Sequence, residues 1–419
     1  MKGSGGPRAS LRALRIRVFA IYTAGSAISL IGMWMQRIAT GWLMWELTGS
    51  GTWLGLVAFA DLFPTFFTAP FAGAAADRWD RLTMSRVTQS LSMVQAFTLF
   101  VLTATGHITP LLLCLLTALG GVLTAFNQPA RLALITSLVP RSDLVPAVAV
   151  NSIVFNLARF LGPALGGVLI VTWGISATFL TNAITFAVFL YALARIGKLP
   201  PDGPPVEHGS FASELVEGLR YIVRDRGVGL LLLLSLITSV GSRPATEMFP
   251  GFSAAVFGAG AEGLAILTSA VGIGAVLGGF WIGGRADTRG LTGVALWYSL
   301  AFSMAFLLFS MATNLWFAAL ALLAAGFCMS SSGVASQTLV QLSVPGAMRG
   351  RVLSIYGLIF RGGPAVGALA MGSAAEHLGF RWPVMAGAVL AGLACVAFLL
   401  KRHRIAKLLE REEPERPNP

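Results

Sequence analysis

Along most of the chain, apolar residues continue for twenty or more positions, with neither the alternation of a half-buried strand nor the broad polar face of a soluble helix. A helix needs about 20 predominantly apolar residues to cross a hydrocarbon core. Breaking the chain at charged, Pro-marked and Gly-marked points predicts twelve such spans, near 18–45, 52–75, 83–105, 109–138, 144–172, 175–195, 228–250, 262–283, 291–311, 314–342, 350–373 and 380–400. One stretch departs from this pattern. Leu199 to Gly209 holds Pro200, Pro201, Pro204 and Pro205 among polar residues and reads as a linker. Beyond it, Phe211, Leu215, Leu219, Ile222 and Val223 recur at helical spacing opposite Glu214, Glu217 and Arg220, predicting an amphipathic helix at a membrane interface. The expected organisation is a six-span bundle over 1–195, a linker with its amphipathic helix over 196–227, a second six-span bundle over 228–403, and a tail over 404–419.

Composition agrees and removes other classes. Of 419 residues, 55% are apolar before the 48 glycines are added, and 11% are charged, against about 25% in soluble proteins. Mean hydropathy is +0.76. So few charges cannot cover a water-soluble surface of this size, which excludes a soluble enzyme, a secreted disulfide scaffold and a disordered chain. Cys114, Cys328 and Cys395 all lie in apolar segments without paired spacing, so neither a disulfide framework nor a zinc site is implied. His107, His208, His377 and His403 fall in or near loops, which leaves no buried histidine relay or histidine-based metal site.

The net charge of +12 would suit a nucleic-acid binder, but its distribution does not. With the N-terminus in the cytoplasm, 25 of the 30 basic residues fall in inner-side segments, and the opposite side keeps only Arg381. That asymmetry places both termini and the linker in the cytoplasm and requires an even number of spans. The basic start (Arg8, Arg12, Arg15, Arg17) leads into an apolar segment without a small-residue cleavage site, so an uncleaved first span is expected.

The two halves carry matching punctuation. Gly73-Ala-Ala-Ala-Asp77-Arg78 follows the second span, and Gly283-Gly-Arg-Ala-Asp287 follows the eighth, 210 residues on. Gly162-Pro163-Ala-Leu-Gly166 in the fifth span recurs as Gly363-Pro364-Ala-Val-Gly367 in the eleventh, 201 residues on, and Val139-Pro140 as Val344-Pro345. A six-helix unit is therefore duplicated with the same topology, one of the known transporter architectures.

On these residues the sequence resembles the major facilitator superfamily, and within it the branch of bacterial multidrug, macrolide and enterobactin-type exporters. Gly73 through Arg81 resembles the superfamily's loop motif. Trp42 through Ser50, Phe126 through Arg131, Asn151 through Gly167 and Met348 through Val352 resemble the branch. Two departures stand out. Leu82 replaces the usual second arginine after Arg81, and Ala158 stands near the position of the extra upstream glycine of the fifth-helix antiporter motif. The resemblance implies an all-α membrane protein of twelve helices in two parallel halves, working by alternating access in the bacterial cell (inner) membrane. It also implies that Gly73, Asp77, Arg78 and Arg81 form a gating latch, although basic loop residues also hold orientation alone. Gly162, Pro163, Gly166 and Gly167 would mark an antiporter, although ordinary helix packing also accounts for them.

Chemistry is expected where ionisable residues fall inside spans, because charge there is costly and lines a cavity or finds a partner. These are Arg37, Asp61, Arg159, Arg243, Glu247 and Arg361. Arg243 and Glu247, spaced i, i+4, could neutralise each other. Asp61 and Glu247 are the acids available to carry a proton, with Asp61 favoured because Glu247 has a ready partner. Four arginines against two acids point to substrates with acidic groups. The reading is a non-enzymatic, proton-driven exporter of small amphiphilic molecules, drug or siderophore in type, with no cofactor. It would work as a monomer in the lipid bilayer with no nucleic-acid partner. Import, facilitated diffusion or lipid flipping on the same fold is the alternative. ATP drive is disfavoured by the absence of a Gly-rich phosphate loop ending in Gly-Lys-Ser/Thr.

Overall fold

The computed structural model describes residues 11–65, 67–68, 71–72, 75, 79–197, 211–285 and 288–410, and no strand occurs among them. Eleven helices in this set are long and apolar enough to cross a membrane, and Gly51–Leu62 is a shorter apolar helix at the second expected span. The chain packs as two units, Met1–Glu207 with Pro250–Ser269, and His208–Phe249 with Ala270–Pro419. This division differs from the six-plus-six division by chain order in one segment. Residues 250–269 pack with the first unit, where a Cβ on Gly41 would rest on Pro250 and one on Gly167 would overlap Ala265.

In the first unit, α1 (Arg17–Thr48) leads through Gly49 into α2 (Gly51–Leu62), whose first turn is capped by the Ser50 hydroxyl accepting from Trp53 N–H. Asp80 caps α3 (Arg81–Ala104), and Thr109 caps α4 (Pro110–Leu138), which has proline at its first position. Helices α5 (Leu144–Trp173) and α6 (Ile175–Arg195) both pack on α1, and α3 packs on α6 and α4. A buried polar network holds these helices together. Asn182 donates to Gln36 at 2.7 Å, Gln36 to Gln95 at 3.1 Å, and Gln95 to the Leu116 carbonyl at 3.0 Å. In hydrocarbon an unsatisfied amide is expensive, so such chains fix helix register. Arg131 lies within α4, bonds the Ser26 hydroxyl and stands over the Phe189 ring at 5.0 Å.

The second unit holds α7 (Phe211–Arg224), α8 (Arg226–Gly241), α10 (Leu291–Met311), α11 (Leu315–Ser343), α12 (Gly346–Leu378), α13 (Arg381–Leu400) and α14 (Arg402–Leu409). The helix α9 (Gly260–Gly283) starts in the first unit and continues in the second. The seventh expected span, 228–250, is not one α-helix. After α8 the chain tightens into a 3-10 turn over Arg243–Met248, started by Pro244, and then widens into a π turn over Phe252–Val256. The residues expected as a tail from 404 also differ, since Ile405 and Leu409 are 2% and 4% exposed within an apolar cluster.

The duplication reaches below the sequence motifs into geometry. Thr109 caps α4 as Asn314 caps α11. Gly174, between α5 and α6, and Gly379, between α12 and α13, share one conformation, with φ 84° and 74° and ψ 168° and 166°. That region is open essentially to glycine only. Gly162 and Gly166 bring α5 onto α1, where a Cβ would crowd the Ile31 carbonyl and Met35 Cα. Gly363 and Gly367 bring α12 onto α8 against Ser239 and Val240.

Candidate functional site

Within the first unit, three of the expected ionisable residues meet around α1. Arg37 on α1 and Asp61 on α2 form an ion pair at 2.8 Å, with side chains 30% and 31% exposed. One turn back on α1, the Trp34 ring lies 5.7 Å from the guanidinium carbons of both Arg37 and Arg159, the latter reaching in from α5. Phe155, one turn before Arg159, meets Trp34 edge-on at 6.2 Å. Two cations, one aromatic ring and one carboxylate meet here in a partly open cluster. Gly162 creates it, because a Cβ there would strike Trp34 and the α1 backbone and push Arg159 away. The fifth-helix motif therefore positions α5 on α1 through Gly162 and Gly166, while buried Pro163 sits between them and Gly167 faces Ala265.

Asp61 has a further distinction. α4 crosses α2 so closely that a Cβ on Gly121 would overlap the Asp61 carbonyl. The equivalent crossing in the second half sets Gly326 against the Val271 carbonyl, and Val271 stands 210 residues after Asp61. The duplicated scaffold keeps the crossing and puts a carboxylate in one half only. The sequence-level reason for preferring Asp61 does not survive, because Asp61 has a close partner of its own in Arg37.

In the second unit, Arg243 turns to the α12 ring Phe360, with its guanidinium carbon 3.6 Å from the centroid. Arg159 and Phe360 occupy the same place in the repeat, 201 residues apart. Cation and ring have thus exchanged helices between halves, Arg159 on α5 over a ring of α1, and Arg243 following α8 beside a ring of α12. Arg243 and Glu247 stand in a 3-10 turn rather than on an α-helical face, and each has an interaction partner. Arg243 lines a pocket whose walls come from α8, α10, α11 and α12 and carry serine, threonine and tyrosine hydroxyls. Arg361, next to Phe360, is half-buried on α12 and is not among the lining residues.

The latch expected at Gly73, Asp77 and Arg78 lies outside the described residues. Arg81 is described. Its guanidinium donates to the Ala133 carbonyl at 3.3 Å and the Ser137 hydroxyl at 3.1 Å, joining the start of α3 to the last turns of α4, where a cation also meets the negative end of the helix dipole. Sequence reasoning missed Glu46. The first helix runs to Thr48 rather than 45, which brings Glu46 into it, where it accepts from Trp42 Nε1 at 2.6 Å. The i, i+4 spacing of Trp42 and Glu46 was the available signal. No group of three metal-ligating side chains occurs among the described residues.

A long-helix scaffold, a duplicated six-helix unit and half-buried cations beside aromatic rings define a multi-pass membrane transporter of the major facilitator fold. The chain belongs to the transmembrane secretion effector family of that superfamily, whose model matches residues 8–417. It is 30% identical to the staphyloferrin A transporter of Staphylococcus aureus (strain NCTC 8325 / PS 47) over 43% of this chain and 47% of that protein, so the match spans about half of that relative. It is 26% identical to the multidrug efflux pump Tap of Mycolicibacterium fortuitum over 93% of this chain and 96% of the relative. Among solved structures, the nucleoside transporter NupG superposes with a TM-score of 0.68 at 14% identity, covering 94% of this chain and 100% of that one. At that identity the likeness concerns the fold alone.

Proposed function

We propose that this chain is a secondary active exporter of small amphiphilic molecules, drug or siderophore in type, that exchanges substrate for protons by alternating access. It works as a monomer in the bacterial cell (inner) membrane with both termini cytoplasmic, as a carrier rather than an enzyme. It needs no cofactor beyond the proton gradient, and its partners are its substrate and the lipid bilayer. Relatives that are themselves named a multidrug efflux pump and a staphyloferrin A transporter support this reading. The observation that carries it is the 2.8 Å Arg37–Asp61 pair beside Trp34 and Arg159.

An ionised Asp61 can accept a hydrogen bond or a positive charge from the substrate, and a proton taken up from outside neutralises the carboxylate and releases the substrate there. Loss of that proton to the cytoplasm restores the carboxylate for the next substrate. Proton and substrate thus compete for the same carboxylate, which gives exchange of one for the other. The test is retention of a panel of acidic and neutral amphiphiles in cells with and without the protein, repeated with the proton gradient collapsed. Gradient-dependent depletion of at least one compound is expected. Equal retention throughout would contradict export, and lipid-analogue movement indifferent to the gradient would favour a flippase.

A further inference from the structure

Helix α5 carries polar groups that neither the scaffold nor the exchange at Asp61 uses. Ser152, Asn156 and Arg159 follow one another at i, i+4 and i+7, which sets them on one face. Asn156 stands about 18 Å along α5 from its start, well inside a hydrocarbon core about 30 Å thick. Ser152 and Asn156 are nevertheless exposed. Ser152 donates to the Val148 carbonyl at 3.0 Å, and Asn156 donates one amide hydrogen to the Ser152 carbonyl at 2.8 Å. The second amide hydrogen and the oxygen of Asn156 make no hydrogen bond among the described residues. An amide left open to lipid is expensive at this depth, so this face meets water or a ligand.

Next to it stands a second unanswered donor. Trp34 meets Phe155 and Arg159 of α5, and its indole nitrogen is covered and without a hydrogen-bond partner among the described residues. An indole nitrogen donates only. The ring itself is partly exposed, so a turn about its Cβ–Cγ bond presents the N–H to a ligand on this face. The second half closes both features. Ser239 meets Gly363 as Trp34 meets Gly162, and its hydroxyl donates to the Ile359 carbonyl at 3.0 Å. The counterparts of Ser152, Asn156 and Arg159, 201 residues on, are Leu353, Gly357 and Phe360. The polar face and the open donor thus belong to α5 and α1 and not to their repeats.

We propose that this face of α5 is a wall of the substrate path and that Asn156 is a specificity-determining residue on it, donating its open amide hydrogen to an amide or ester carbonyl of the substrate. Asn156 alone could serve a donor or an acceptor. The neighbouring Trp34 N–H, which can only donate, decides for a ligand rich in acceptors. An amphiphile of equal size and charge without a carbonyl leaves these donors unanswered and binds less tightly. This inference rests on the transport reading, whose recognition chemistry it names, and its test needs no gradient.

Single cysteines are placed in the full-length protein on this face, Ser152→Cys, and on the far side of α5, Leu165→Cys, where Leu165 is 45% exposed. Cys114, Cys328 and Cys395 are buried and give the background. Open membrane fragments are treated with trimethylammonioethyl methanethiosulfonate, a charged reagent that needs a thiolate and therefore water at the thiol. Rapid labelling of Ser152→Cys and none of Leu165→Cys is expected. Two probes with the same ring and ammonium then compete with the reagent: N-(2-diethylaminoethyl)benzamide, which has a carbonyl, and N,N-diethyl-4-phenylbutylamine, which has none. The benzamide should halve the labelling of Ser152→Cys at about tenfold lower concentration, as one buried hydrogen bond supplies, and adding Asn156→Leu should bring the two concentrations within about twofold of each other. An unchanged labelling rate without probe shows that the double variant keeps its fold. Ser152→Cys as unreactive as Leu165→Cys, equal protection by the two probes, protection by neither, or a preference that survives Asn156→Leu would overturn the proposal. Each of those results leaves gradient-dependent export standing, and failure of export with the probe preference intact would overturn the transport reading alone.

Discussion

At the scale of single residues, glycine and charge carry the site between them. Gly162 holds α5 against α1, and a methyl group there meets the Ile31 carbonyl at 2.9 Å and the Met35 nitrogen at 3.3 Å, atoms that move only if the helices part. Gly162→Ala is expected to destabilise by about 1–3 kcal/mol and to lower transport, because Arg159 moves with α5. Gly357→Ala, on α12 with open space around it, should leave the unfolding temperature in detergent unchanged or raised. If both variants unfold at the wild-type temperature, the tight crossing is not what positions Arg159. The partner of Asp61 was beyond sequence reasoning. Arg37 and Asp61 sit on separate helices with a Gly49–Ser50 turn between them, and no spacing rule relates residues across such a turn.

At the scale of elements, two helices outside the spans carry roles that composition alone left vague. The amphipathic α7 was legible from its 3.6-residue periodicity, and the structure separates its two faces. Ile222 is buried against the α8 cluster, and Glu217 pairs with Arg351 of α12 at 2.5 Å. The other face shows Val216, Leu219 and Val223 at 53%, 54% and 78% exposure beside Arg220 and Arg224. Apolar side chains flanked by arginines suit a lipid interface with anionic headgroups, worth about 1 kcal/mol per basic residue. Adding phosphatidylglycerol should therefore raise the unfolding temperature of wild type more than that of the Arg220→Gln/Arg224→Gln variant; equal gains would remove the lipid role.

The C-terminal α14 was not legible, because a short charged helix looks like a tail until its partners are seen. Glu410 accepts from Gly290 N–H and Thr292 N–H, both at 2.8 Å, capping the start of α10, and Ser343 donates to the Leu409 carbonyl at 2.8 Å. Glu410→Gln should cost about 1 kcal/mol, read as a lower unfolding temperature. An unchanged temperature would mean that the cap is idle. The break in the seventh span was partly legible. Pro244 removes a backbone donor and Gly241 and Ser242 precede it, but a hydropathy window responds to composition and is blind to hydrogen-bond register.

At the scale of the molecule, the twelve-span pattern, the duplication and the family likeness could all be read from the chain, since lipid demands long apolar helices and a repeat leaves its punctuation behind. Departures from the repeat carry the functional information. A carboxylate at Asp61 has Val271 as its counterpart, and Arg159 has Phe360. Symmetric positions build the scaffold, and asymmetric ones are where proton and substrate chemistry is expected. These differences acquire meaning only when the crossings of α2 with α4 and of α5 with α1 are in view.

The most direct measurement is a comparison of wild type and Asp61→Asn in sealed proteoliposomes, using an effluxed compound from the cellular panel. Internal pH is followed with a trapped dye, and radiolabelled substrate exchange is measured without a gradient. Substrate addition should move protons in wild type and drive accumulation against a gradient. Asp61→Asn should lose both while keeping gradient-free substrate exchange at reduced affinity, because the amide still accepts a hydrogen bond but cannot take up a proton. Full proton-coupled accumulation by Asp61→Asn would contradict the central claim.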